Sequence, residues 1–145
     1  RSGVARRRQA VTVEPLGIVE LGEVCARMRA RSLDAFERCG RWVTSTPPGE
    51  LQRLLAEACH RHAWHAELWA ARAPAIPPVD LEALTAAAGR AGDLPGVEAY
   101  RELLDELATE LDELTSRVDP VLDPSTTRTI ALVRTDVASI RDRLP

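Results

Sequence analysis

The sequence predicts an all-α domain, a four-helix bundle made of two antiparallel hairpins joined by a long crossover. Three observations predict it. Apolar side chains recur at spacings of three and four along four separate stretches, the period of one helix face. Clusters of proline and glycine separate those stretches. Aromatic residues make up only 3% of the 145 residues while hydrophobic ones make up 45%, so the core must be aliphatic, as in most helical bundles.

The first 14 residues carry Arg1, Arg6, Arg7 and Arg8 and no helical period. They read as a flexible basic segment ahead of a domain spanning 15–145. The alternation Val11-Thr12-Val13 is the one hint of β structure. The first helix is expected over 16–43, with Pro15 in its opening turn. Ile18, Leu21, Cys25, Met28, Ser32, Ala35, Cys39 and Trp42 or Val43 form its inner face. Its outer face, including Glu20, Glu23, Arg27, Arg31, Asp34 and Arg38, reads as solvated.

Pro47-Pro48-Gly49 ends that helix, and Thr46 is a candidate cap for the next. The second helix is expected over 48–72, with Leu51, Leu55, Ala58, His62, His65 and Trp69 inward. Pro74, Pro77 and Pro78 stop it. A short helix over 80–88, with Asp80 as N-cap, sits in the connection, and Gly89, Gly92 and Pro95 follow. The third long helix, over 95–118, carries an unbroken seam from Val97 and Tyr100 through Leu104, Leu107, Leu111 and Leu114 to Val118. Its outer face is acidic. Asp119-Pro120 to Asp123-Pro124 is a tight turn, and the last helix runs over 125–143 with Ile130, Val133, Val137 and Ile140 inward.

Short links join antiparallel neighbours. The second and third long helices are each roughly 35 Å long at 1.5 Å per residue, and a connection of about twenty residues can return that distance at roughly 3.3 Å per residue. A lengthwise crossover follows; an up-down-up-down bundle with a loose loop is the alternative.

Composition excludes some classes. The net charge of −3 argues against a nucleic-acid binder. No stretch approaches the roughly 18–20 apolar residues that cross a bilayer, and no secretory signal pattern is present. Cys25, Cys39 and Cys59 are an odd number without a CxxC pair and read as buried small hydrophobes in a reducing cytoplasm. All 19 basic side chains are arginine, and alanine is abundant; the pattern is that expected of a high-GC bacterial genome.

All three histidines lie within six residues: His60, His62 and His65. At 100° per residue His62 and His65 point inward one turn apart, while His60 points outward beside Glu67. An i, i+3 histidine pair can ligate one metal if other helices supply carboxylates, and neutral imidazole suits acid–base work. The plainer alternative is a satisfied core pair. Counting residues from the turns puts His62 level with Leu107, with 31–34 and with 132–136. The nearest acids are then Asp34, Glu106, Glu110 and Asp136.

The two-hairpin plan, together with Glu57-Ala58-Cys59-His60 on the second helix, resembles the ferritin-like fold over about 15–144. Ferritin-like di-iron proteins place a Glu on each of two helices and Glu-x-x-His on the other two. The last helix here reads Arg134-Thr135-Asp136-Val137, where Asp136 stands in for the second motif's Glu and no His follows. Glu20 and Glu23 lie off the seam of the first helix, and Glu102, Glu106 and Glu110 flank that of the third. The resemblance implies a ferritin-like domain whose di-iron site is degraded or lost.

The favoured reading is a non-catalytic module that associates with a protein partner or with itself, without a cofactor. Trp42, Trp64 and Trp69 are its candidate anchors, core filling being the alternative. The second reading is a metal-dependent or redox enzyme holding iron, manganese or zinc. Its ligands would be His62 and His65, or Glu57 and His60, with Asp136, Glu106 and Glu23. A small-molecule pocket with the histidines as polar fixtures is the third.

Overall fold

A computed structural model of the chain describes residues 14–88 and 96–145. The basic segment up to residue 13, the Val11-Thr12-Val13 alternation and the Gly89, Gly92 and Pro95 stop lie outside the described residues. Every regular element among the described residues is an α-helix: α1 (Ile18–Ser45), α2 (Glu50–Arg72), α3 (Leu81–Ala87), α4 (Val97–Arg117) and α5 (Pro124–Arg143). No helix is long and apolar enough to cross a membrane among the described residues.

The helices begin where local chemistry allows. α1 starts at Ile18 and not at 16, because Gly17 is extended and the Leu16 N–H donates to the Arg117 carbonyl at 3.4 Å. Pro15 therefore precedes the helix. Thr46 caps nothing ahead of it; its hydroxyl donates back to the Trp42 carbonyl at 2.8 Å, and Gly49 precedes α2. Asp80 does cap α3, accepting from the Ala83 N–H at 3.0 Å. Asp123 caps α5 the same way through the Thr126 N–H, with Pro124 in the first turn.

Contacts between helices fix their directions. Glu20 pairs with Arg117 at 2.6 Å and Arg31 with Glu110 at 2.6 Å, so α4 runs antiparallel to α1. Asp112 pairs with Arg134 at 2.7 Å and Asp105 with Arg141, so α5 runs antiparallel to α4. Arg72 meets Asp123 at 3.3 Å and Glu57 meets Arg143 at 2.8 Å, so α5 also runs antiparallel to α2. The connection after α2 climbs along α1: Val79 lies over Gly22, and Glu82 pairs with Arg29 at 2.7 Å.

The aliphatic core forms between these faces. Met28, Leu55, Trp69, Tyr100, Leu104, Leu111 and Ile140 are fully buried, and each such side chain contributes about 1.5–3 kcal/mol relative to exposure. α1 is covered more widely than a single inner stripe implies. Ala26 and Ala30 are buried on its far side, and Asp34 and Arg38, expected in solvent, form a buried ion pair at 2.9 Å. The reason is that α1 packs against α2, α4 and the connection together.

Gly22 makes the connection's close approach to α1 feasible. A Cβ there would lie 2.6 Å from both γ-carbons of Val79, whereas one at Gly40 would meet only Cys59 Sγ at 3.6 Å. Gly22→Ala should therefore lower the unfolding free energy by about 1–2 kcal/mol through overpacking. Gly40→Ala should hold it or raise it by up to about 1 kcal/mol through helix propensity. Urea titrations of the two variants distinguish them; equal midpoints would mean that Val79 moves aside without loss.

Candidate functional site

The histidine cluster lies in the middle of α2. Leu55, Ala58, His62, His65, Ala66 and Trp69 share its buried face, so the imidazoles occupy positions that the helical period assigns to the core. Both are 1% exposed. Buried imidazoles need partners, and two other helices supply them.

His62 Nε2 lies 2.7 Å from the Tyr100 hydroxyl of α4. A phenol is the better donor and an imidazole nitrogen the better acceptor, so Tyr100 donates and the neutral His62 carries its proton on Nδ1. That nitrogen is buried without a hydrogen-bond partner. Tyr100 adjoins the Cys39 thiol of α1, and the Trp42 and Tyr100 rings meet edge to face with centroids 6.1 Å apart. His65 Nε2 donates to Asp136 Oδ2 of α5 at 2.9 Å. Asp136 Oδ1 takes Arg61, which also bonds Glu57 at 2.7 Å, and Glu57 is held from the other side by Arg143 at 2.8 Å. The two imidazole rings stand 5.6 Å apart, nearly perpendicular. Two hydrogen-bonded polar runs, Tyr100–His62 and His65–Asp136–Arg61–Glu57–Arg143, thus meet at the two imidazole rings to form a polar line across the core.

Electrostatics hold the inner part of this line neutral. Burial, with the adjacent His65 adding to it, pushes the His62 pKa down to about 3. Burial also pulls His65 below its ordinary value, outweighing the pull of Asp136 in the other direction. Burial raises the Tyr100 phenol far above its usual range and takes the Cys39 thiol up to about 12. Near neutral pH the phenol, the thiol and both imidazoles are uncharged, and the charges sit at the α2–α5 edge.

The remaining sequence candidates fall elsewhere. His60 is exposed. The Glu57 carboxylate is engaged by two arginines. Glu106 and Glu110 pair with Arg31, and Asp34 pairs with Arg38. Glu23 is exposed on α1. Of the four acids expected level with His62, Asp136 alone joins the cluster, through His65. On α4 the partner is Tyr100, seven residues before the expected Leu107. Among the described residues no group of three or more His, Cys, Asp and Glu side chains is placed to hold a metal ion. The Glu57, Glu106 and Glu110 carboxylates are each paired with arginine. Of the tryptophans, Trp69 is fully buried, Trp42 is half-buried against the core, and Trp64 is 43% exposed. Trp69 is therefore core within this chain and no surface anchor.

Three residues in or beside the polar line were not singled out from the sequence. Tyr100 read as seam, although the chain's one tyrosine on a buried stripe demands a hydroxyl partner. Cys39 read as aliphatic filler. Arg61 carried no reading, and nothing local announces its partner on α5.

Surface clefts lie apart from the histidines. One of about 590 Å³ opens between the start of α2 and the end of α5, lined by Glu50, Arg53, Glu57 and Arg143 among others. Another of about 190 Å³ lies between the end of α4 and the start of α5, lined by Val118, Pro120, Ile130 and Ala131 with Thr115, Thr127 and Arg134. Neither takes a wall from His62, His65 or Tyr100.

The Tyr100–His62 bond can be weighed directly. Tyr100→Phe leaves a buried acceptor without its donor and should cost about 1–2 kcal/mol in urea unfolding. An unchanged midpoint would show that the bond adds nothing to folding.

No known protein family, curated protein or solved structure matches the chain.

Proposed function

We propose that this chain is a non-catalytic helical module that works by associating with protein surfaces. Its four long helices make two antiparallel hairpins joined by a lengthwise crossover, the ferritin-like plan. Supporting the plan, α2 and α4 both run antiparallel to α1, and the connection between them climbs α1. The three cysteines are free thiols, which fits a reducing cytoplasm.

One observation carries the functional reading. Among the described residues the buried imidazoles are sealed: His62 and His65 are 1% exposed, and their Nε2 atoms are bonded to Tyr100 and Asp136. A substrate has no path to them, so function falls to the surface. Among the described residues, Phe36 and Trp64 are exposed singly on α1 and α2, and the other exposed large hydrophobics come in pairs. Ile18 and Val19 open α1 at 58% and 43% exposed, and Val121 and Leu122 lie between α4 and α5 at 83% each. Both pairs are at one end of the molecule, where Arg117 bonds Glu20 and the Glu14 carbonyl. Single exposed apolar residues are ordinary, but a concentration of them marks an interaction surface.

Light scattering over a concentration series, combined with capture on immobilised protein, tests this. Concentration-dependent mass, or stoichiometric retention of a defined partner, is expected. A strict monomer that retains nothing overturns the reading.

A further inference from the structure

The turn between α4 and α5 holds two apolar side chains out in water by design of its hydrogen bonds. Asp119 Oδ1 accepts the N–H groups of Val121 and Leu122 at 2.8 and 3.3 Å, and the Asp123 N–H closes onto the Asp119 carbonyl at 2.8 Å. Asp123 then caps α5 and is gripped by Arg72 from α2 at 3.3 Å. Pro120 and Pro124 fix φ on either side. These bonds tie down the backbone that carries Val121 and Leu122, and the turn is ordered before anything docks. It keeps them 83% exposed, so docking them costs little further ordering.

Beside these knobs lies a hole. The 190 Å³ apolar cleft begins at Val118 and Pro120 and continues over Ile130 and Ala131. A cavity of about 150 Å³ lined by aliphatic side chains takes a benzene ring, so this one has room for a leucine side chain. Knob and hole share one patch, and that is the property an isologous interface requires. Charge is placed in the same sense: the Asp119 carboxylate flanks the knob, and Arg134, half exposed beside its partner Asp112 at 2.7 Å, lines the hole.

We propose that this end of the molecule pairs with a second copy of the chain across a two-fold axis, Leu122 of each copy entering the α4–α5 cleft of the other. The proposal rests on the association reading and names its partner.

Sedimentation of the full chain, run beside Leu122→Asp and Ala131→Trp, tests the pairing. Each lost anchor is worth about thirtyfold and symmetry counts it twice, so Leu122→Asp should weaken the dimer about a thousandfold. Leu122 is a solvent-facing side chain, so the variant's circular-dichroism melt should match that of the parent. Ala131→Trp fills the hole from within and should also give monomers. A dimer that survives both variants overturns the assignment of this surface. A parent chain that is monomeric at every concentration overturns self-pairing, while retention of a different defined partner in that case leaves the association reading intact.

Discussion

Acidification from pH 7 to about pH 4 should cost the folded chain about 3 kcal/mol through His62 alone. The side chain is enclosed by Tyr100, His65 and the aliphatic core, and its pKa falls from 6.5 to about 3 on folding. A base whose folded pKa lies below its unfolded one binds fewer protons in the folded chain than in the unfolded chain. Stability is therefore full above about pH 6.5, declines as pH falls through the window down to 3, and levels off below it. His65 acts in the same direction, since its pKa is also lowered. Urea titrations at a series of pH values measure the slope. His62→Gln keeps a neutral hydrogen-bonding side chain that takes no proton in this range. It should start less stable at pH 7, by about 1–2 kcal/mol for an imperfect bond to Tyr100, and then lose far less on acidification. Parallel curves for the parent and His62→Gln would refute the role assigned to His62.

The inward aim of His62 and His65 was legible because a single helix's period decides it, and the same holds for the buried seam of α4 and the caps at Asp80 and Asp123. Axial register was not legible. Loop lengths say which helices are neighbours, but not how far one slides along another, and His62 meets Tyr100 about two turns from the level that counting assigns. Arg61 illustrates the same limit. Within α2 it is an ordinary i, i+4 partner of Glu57 on a half-exposed flank, and its bond to Asp136 depends on the approach of α5. Asp34 and Arg38 were misjudged for a related reason: polar residues on the outer face of α1 are solvated only if nothing else packs there. Val121 and Leu122 carried a readable signal, two apolar residues between two Asp-Pro pairs, where a turn is ordinarily polar.

Asp136 is the junction of the polar line, and replacing it should be the most damaging single change along it. One carboxylate there serves two donors on α2, His65 Nε2 at 2.9 Å and Arg61. Asp136→Leu leaves the buried His65 N–H without an acceptor and the partly buried Arg61 without its interhelical counterion. Breaking a buried pair by removing one partner costs about 3–5 kcal/mol. Arg61 keeps Glu57 and is about a third exposed, so water and that carboxylate soften the loss, and about 3 kcal/mol is expected. The second variant decides the cause. If uncompensated polarity is what destabilises, then Arg61→Met added to Asp136→Leu should recover part of the loss, because an apolar contact across α2 and α5 replaces a stranded charge. If lost packing of α5 is the cause, the double variant should be worse than either single one. A thermodynamic cycle over the parent, the two single variants and the double variant gives the coupling directly. A coupling near zero would mean that Asp136 holds α5 to α2 through His65 and not through Arg61.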